Sequence, residues 1–156
     1  MSKYNSKTIV IDGITFPSKD ESKYYEALKI KQAKGLIKCF ELQPKYDLIA
    51  NFEYQGKKLQ GISYKPDYII YHNDDTEECI EIKGFMTEPA ELRIKLFKWR
   101  YPNIKITILS RNIKYGDEYG FIEYKELKKI QSKNRKMKAE TIEIAKKPRV
   151  RSKRTK

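Results

Sequence analysis

The sequence predicts an α/β (mixed α+β) fold, a central mixed β-sheet flanked by helices, on three observations. Strand-like apolar runs alternate with helix-spaced patterns along the chain. Short Gly-containing turn signals separate the strands. In 156 residues, 39% hydrophobic content with twelve Tyr, six Phe and one Trp provides material for one sizeable core but not two. In chain order, Thr8-Ile9-Val10-Ile11 and Ile14-Thr15-Phe16 flank Asp12-Gly13, a dipeptide that favours a two-residue hairpin. A helix is predicted over 18–34, with Ser18 as N-cap, Tyr25, Leu28 and Gln32 at helical spacing, and Gly35 at the position that follows a helix end. Strands are predicted over 36–42, 46–54 and 58–64, with Gln55-Gly56 as the turn between the last two. A second hairpin pairs 67–71 with 79–83 across the polar loop 72–78. Thr87 caps a helix running to about Arg100, with Leu92, Leu96 and Trp99 on one face and Trp99 as core. A buried strand over 104–109 and an edge strand over 121–124 complete the body.

Charge divides the chain differently. The 34 Lys and Arg against 21 Asp and Glu give +13 and a pI of about 9.6, which points to polyanionic partners. From Lys133 onward there are eleven Lys or Arg and two Glu, a net +9, which leaves +4 for the first 132 residues. We therefore read one domain over 1–131 and a basic tail over 132–156, helical at its start. Lys147, Arg149, Arg151, Lys153 and Arg154 would lie along phosphates, where counterion release rewards contact without a fold; a merely solubilising tail is the plainer reading. Cys39 and Cys79 stand alone, without a CxxC or Cys/His cluster, so neither a disulfide framework nor a structural zinc site is suggested. No apolar run approaches the length of about 18 residues that crosses a bilayer. The expectation is a soluble protein of a reducing cytoplasm.

The chemistry-bearing residues are Pro66-Asp67 and Glu81-Ile82-Lys83, which fall on the two strands of the second hairpin. Side chains alternate at period two, so Glu81 and Lys83 share a face while Ile80 and Ile82 enter the apolar layer. If Asp67 lies opposite, two carboxylates meet where Mg²⁺, which favours one or two acidic ligands, water and a substrate phosphate, would sit. The Ile82 carbonyl would add an oxygen. Lys83 would then orient or deprotonate the attacking water, or offset charge on the phosphorane-like transition state.

These motifs, fourteen residues apart from Asp67 to Glu81, resemble the signature of the PD-(D/E)XK nucleases, whose core is restriction-endonuclease-like. Glu21, on the helix before the sheet, stands where such nucleases often carry a further acidic residue. Glu41-Leu42-Gln43-Pro44 resembles the strand that carries a glutamine in resolvase-like and transposon-end-cleaving members. With Gly84-Phe85 and Lys95-Leu96-Phe97, the run 16–101 looks like a small phage-encoded family of Holliday junction resolvase-like endonucleases. The resemblance implies a Mg²⁺-dependent endonuclease, with Mn²⁺ as a substitute, acting on branched DNA in the cytoplasm of a bacterial host cell. It implies Asp67, Glu81, Ile82 and Glu21 at the metal, Lys83 at the water and Gln43 at the substrate. Lys45, Lys65, Arg93 and the tail cations would contact the DNA backbone. A homodimer is implied, because a four-way junction needs two paired nicks. The chain is also similar to the endonuclease subunit of heteromeric transposases, which would make activity depend on a recombination or replication partner. From another class, it would be a non-catalytic basic nucleic-acid-binding protein.

Plainer readings accompany each residue. Ser18-x-x-Glu21 is a capping box, Asp67 after Pro66 a strand-initiating turn residue, and Glu81 with Lys83 a solvated pair worth a few tenths of a kcal/mol. His72, beside Asn73-Asp74-Asp75, reads as part of a polar hairpin loop rather than as a metal ligand.

Overall fold

The computed structural model describes residues 8–146, in two compact units that divide after Tyr124. The first unit opens with a hairpin, β1 (Ile9–Ile11) and β2 (Ile14–Phe16). Its turn places Asp12 at φ 53° and Gly13 at φ 76°, the positive pair that a tight hairpin with right-handed strand twist requires. Helix α1 (Lys19–Ala33) follows. Ser18 accepts from the Glu21 amide, and the chain leaves through Gly35 at φ 70°, whose amide bonds the Gln32 carbonyl while the Leu36 amide bonds that of Lys31. This exit turn consumes Leu36, so β3 begins at Cys39 (Cys39–Leu42) and not at 36.

The central sheet has the order β11-β10-β9-β8-β3. It contains β8 (Tyr68–Tyr71), β9 (Glu77–Ile82), β10 (Lys105–Arg111) and the edge strand β11 (Phe121–Glu123). Only β9 and β10 run parallel, joined by helix α2 (Glu88–Arg100). Thr87 caps α2, and Pro89 sits in its first turn, where a missing N–H is harmless. The mixed sheet with flanking helices is the fold class read from the sequence.

Alternation along β8 and β9 sends side chains to two cores. Tyr68, Ile70, Ile80 and Ile82 pack with Tyr24, Tyr25 and Leu28 of α1. Ile69 and Cys79 pack on the other face with Ile94 and Phe97 of α2. Leu28 and Phe97 are wholly enclosed, each worth roughly 1.5–3 kcal/mol of transfer free energy. The inward face of α2 is therefore Ile94 and Phe97. Trp99, predicted as core, is 74% exposed, and Leu92 is exposed with it. Both sets satisfy helical spacing, and the ring cluster of Phe97 with Tyr46, Tyr64 and Tyr101 decides which face turns inward.

The segments predicted as single strands over 46–54 and 58–64 are each broken in two. β4 (Tyr46–Ile49) pairs with β7 (Ile62–Tyr64), and β5 (Phe52–Tyr54) pairs with β6 (Lys57–Leu59), all antiparallel. The break lies at Gly61, whose missing side chain lets it approach the backbone of Ile49 and Ala50.

The described part of the second unit lies in one long helix, α3 (Tyr124–Lys146). No Gly or Pro interrupts 124–146, so the domain boundary expected at 131/132 falls inside a continuous helix, and the first unit ends earlier. Lys147, Arg149, Arg151, Lys153 and Arg154 lie outside the described residues. Among the described residues no helix is long and apolar enough to cross a membrane.

Candidate active site

The β8–β9 hairpin creates the site. Its register pairs Tyr68 with Ile80, and one step further along the same register Asp67 stands opposite Glu81. Pro66, fully buried, fixes the chain's entry into β8. The Ile82 amide donates to Asp67 Oδ2 at 2.7 Å. An amide and carbonyl of one strand residue point to the same side, so the Ile82 carbonyl also faces Asp67. Glu81 is only 4% exposed, and both of its oxygens have donors: Tyr64 Oη at 2.7 Å on Oε2, and Lys83 Nζ at 2.6 Å on Oε1. The Glu81 carboxylate is thus buried and Lys83 half-buried, unlike the solvated pair of the plainer reading. Ser110 Oγ donates to the Lys83 carbonyl at 2.5 Å and the Lys83 amide to the Leu109 carbonyl, anchoring that residue's backbone to β10.

Helix α1 brings its first turn to the same place. Ser18 Oγ donates to Glu21 Oε1 at 2.7 Å, and Tyr68 Oη donates to the Glu21 carbonyl at 2.8 Å, tying the helix start to β8. Capping and proximity to the acidic pair therefore coexist in Glu21. Burial raises the Glu21 carboxyl above its ordinary value, with Glu81 adding to the rise while Ser18 and Lys83 oppose it. Asp67 is pushed up to about 8, first by burial, then by the charges of Glu81 and Glu21. Burial works to lower Lys83, yet Glu81, Asp67 and Glu21 outweigh it and hold its ammonium above the usual lysine value. Four residues as far as sixty-two positions apart in sequence, Glu21, Asp67, Glu81 and Lys83, thus share one electrostatic environment.

Among the described residues no three His, Cys, Asp or Glu side chains form a cage that would hold a metal ion. Mg²⁺ rarely needs one, since it binds through one or two carboxylates and keeps its waters for a phosphate to replace. The donor set suits it. Burial, with the charges of Glu81 and Glu21, favours the protonated form of Asp67, and a divalent cation would favour the ionised form instead. Oxygen donors of this kind favour a hard ion over a soft one.

The other predicted residues lie apart or act differently. Gln43 has φ 48° and donates its amide to the Asp67 carbonyl at 3.0 Å, while its side chain is exposed. It supports the chain at Asp67 and is not itself among the carboxylates. Lys45 pairs with Asp47 at 3.1 Å, and Lys65 and Arg93 are exposed. His72 sits at the opposite end of β8, 3.2 Å from Glu78 Oε2, and Glu78 also takes Lys105 and Thr107.

With this geometry in place, residues 1–117 match the profile of a family described as "Protein of unknown function (DUF1064)". The chain belongs to DUF1064. No curated protein and no solved structure matches it. The DUF1064 match contains Glu21, Gln43, Asp67, Glu81, Ile82 and Lys83, and it ends before α3 and the basic tail.

Tyr64 was not among the residues predicted for this site. Burial first, then Glu81, raises the Tyr64 phenol far above its ordinary value, so it remains a donor at every working pH. Only its place three residues before Asp67, at the end of a strand pattern, hinted at it. Tyr64→Phe should leave one Glu81 oxygen without its buried donor and destabilise the fold by about 1–3 kcal/mol in urea unfolding. A loss below a few tenths of a kcal/mol would mean that water replaces the phenol.

Proposed function

We propose that the protein is a Mg²⁺-dependent DNA endonuclease of the PD-(D/E)XK, resolvase-like kind, hydrolysing phosphodiester bonds in branched DNA. The observation that supports this reading best is the trio of buried Glu81 with half-buried Asp67 and Lys83, at facing ends of β8 and β9 beside Glu21. Asp67 and Glu81, with the Ile82 carbonyl, would hold the ion, and Glu21 would complete the acidic set. When bound, the ion supplies positive charge at the phosphate and eases deprotonation of the attacking water. Lys83, a cation, holds Glu81 in place and faces the charge that develops on the phosphoryl oxygens. Of the roles expected for this lysine, donor and electrostatic stabiliser are the ones its raised pKa favours. The net charge of +13 favours a polyanionic substrate. A homodimer would present two sites for paired nicks.

A second reading draws on Glu81, whose oxygens are both already bonded within the protein. In that reading the cluster is structural and the protein binds nucleic acid without cutting it, or cuts only when a recombination partner assembles with it. One comparison separates the readings: cleavage of a labelled four-way junction and its matching linear duplex by wild type and Glu81→Ala, in Mg²⁺, Mn²⁺ and EDTA. Paired nicks in the junction are expected, lost in EDTA and in Glu81→Ala. Binding with no metal-dependent cut would give the structural or partner-dependent reading instead.

A further inference from the structure

We propose that the β5–β6 ribbon is a DNA-gripping arm that lays Phe52, Tyr54, Lys57 and Leu59 into a groove of the duplex flanking the cut, an inference that rests on DNA being the substrate. The ribbon pairs only with itself, and all of its residues are exposed. A two-stranded ribbon is marginal alone, and it rarely spends large apolar side chains on water without a contact to make. Phe52, Tyr54 and Leu59 are 47%, 61% and 41% exposed.

The register sorts these residues by face. Phe52 opposes Leu59 and Tyr54 opposes Lys57, so all four share the front, while Glu53 opposes Lys58 on the back. The front therefore carries three apolar or aromatic groups and a cation, with no carboxylate. That chemistry suits nucleic acid: a two-stranded ribbon fits the major groove, apolar side chains wedge between base steps from the minor groove, and aromatic faces stack on unpaired bases. Packing against a second copy would bring the Lys57 side chains of two fronts together with no anion to pair with.

The arm is also built into a fixed position. A Cβ at Gly61 would stand 2.1 Å from the Ile49 carbonyl oxygen, and the Gly61 amide donates to Asn51 Oδ1 at 2.7 Å, so the neck is pinned where the ribbon leaves β4 and β7. Beyond the neck, β7 ends at Tyr64, which holds Glu81 at 2.7 Å. The tip at Gly56 is eight residues before Tyr64, a reach of at most about 26 Å in extended chain, or roughly eight base-pair steps. The arm would thus touch DNA within one helical turn of the cut.

The test compares wild type with Phe52→Ala/Tyr54→Ala and with Lys57→Glu, reading affinity for a labelled duplex and a four-way junction by fluorescence anisotropy in EDTA. Melting temperature and sedimentation are measured on the same samples. The double variant should lose about tenfold or more in affinity at unchanged melting temperature. Lys57→Glu should weaken binding and reduce the salt slope by about one. Unchanged affinity in both, with wild-type binding intact, overturns the arm alone and leaves the nuclease reading standing. A wild-type dimer that falls to monomer in the double variant overturns it by assigning the ribbon to a second copy. Failure of wild type to bind DNA at all overturns both.

Discussion

Lys83→Ala is expected to reduce phosphodiester cleavage by about 10³-fold while leaving affinity for DNA within about threefold of wild type. The expectation follows from where the ammonium is. Lys83 lies 2.6 Å from Glu81, and the surrounding carboxylates keep it charged despite burial, so what it contributes is a fixed positive charge and a donor at the acidic cluster. Such a group acts mainly on the transition state, where charge on the phosphoryl oxygens is greatest, and much less on the bound ground state. The substitution also leaves Glu81 as a buried carboxylate without its cation, at a cost of about 3 kcal/mol. Single-turnover cleavage and anisotropy should therefore be read below the variant's own melting transition. Equal losses of cleavage and binding would show Lys83 to be a phosphate contact, and full activity would remove it from the mechanism. Lys83→Arg, which keeps the charge on a planar fork, should recover stability before it recovers rate.

Asp67→Asn is expected to abolish cleavage and, without metal, to stabilise the protein at pH 8. The folded-state pKa of Asp67, about 8, lies far above the ordinary 3.8. Between those values the folded protein holds a proton that the unfolded chain has released, so stability falls as pH rises through this window and is lowest above it. An amide in place of the carboxyl still accepts from the Ile82 amide and no longer has a charge to bury. The wild-type melting temperature should therefore fall from pH 5 to pH 8.5, and the variant should fall much less. Mg²⁺ should raise the wild-type melting temperature at pH 8 and leave Asp67→Asn nearly unmoved. Because the proton and the cation compete for the same oxygens, the Mg²⁺ concentration needed by wild type should rise about tenfold per unit as pH is lowered from 8. A variant less stable at every pH, or one that Mg²⁺ stabilises as much as wild type, would contradict this account.

Much of the architecture was legible in the residues. Ser18, Thr87 and Gly35 end helices where expected, and Asp12-Gly13 and Gln55-Gly56 turn the chain where expected. These are local choices, decided by φ preferences and by side chains that reach only the nearest backbone. The β8–β9 hairpin was legible for the same reason, but not its register: β9 begins at Glu77 rather than 79, and that shift sets Asp67 opposite Glu81 where the predicted bounds would have set it opposite Lys83. Less was visible where two local answers are equally good. Leu92, Leu96 and Trp99 form as regular a helical stripe as Ile94, Phe97 and Tyr101, and only the aromatic cluster around Phe97 chooses between them. The long strand patterns over 46–54 and 58–64 contain no mark of their division except Gly61, whose meaning depends on a backbone twelve residues away.

The sequence by itself determined the order of elements, the fold class and the basic charge, because each rests on composition or on neighbours within a turn or a hairpin, whereas the register that sets Asp67 opposite Glu81 came from the structure. Tertiary structure alone decided that Tyr64 holds Glu81, that Glu21 joins the acidic pair, that burial pushes the Asp67 carboxyl well above its ordinary value and that the residues of the β5–β6 ribbon are exposed. The physical reason is desolvation. How far a carboxylate is removed from water, and which charges then dominate it, depends on side chains that the fold assembles from distant parts of the chain.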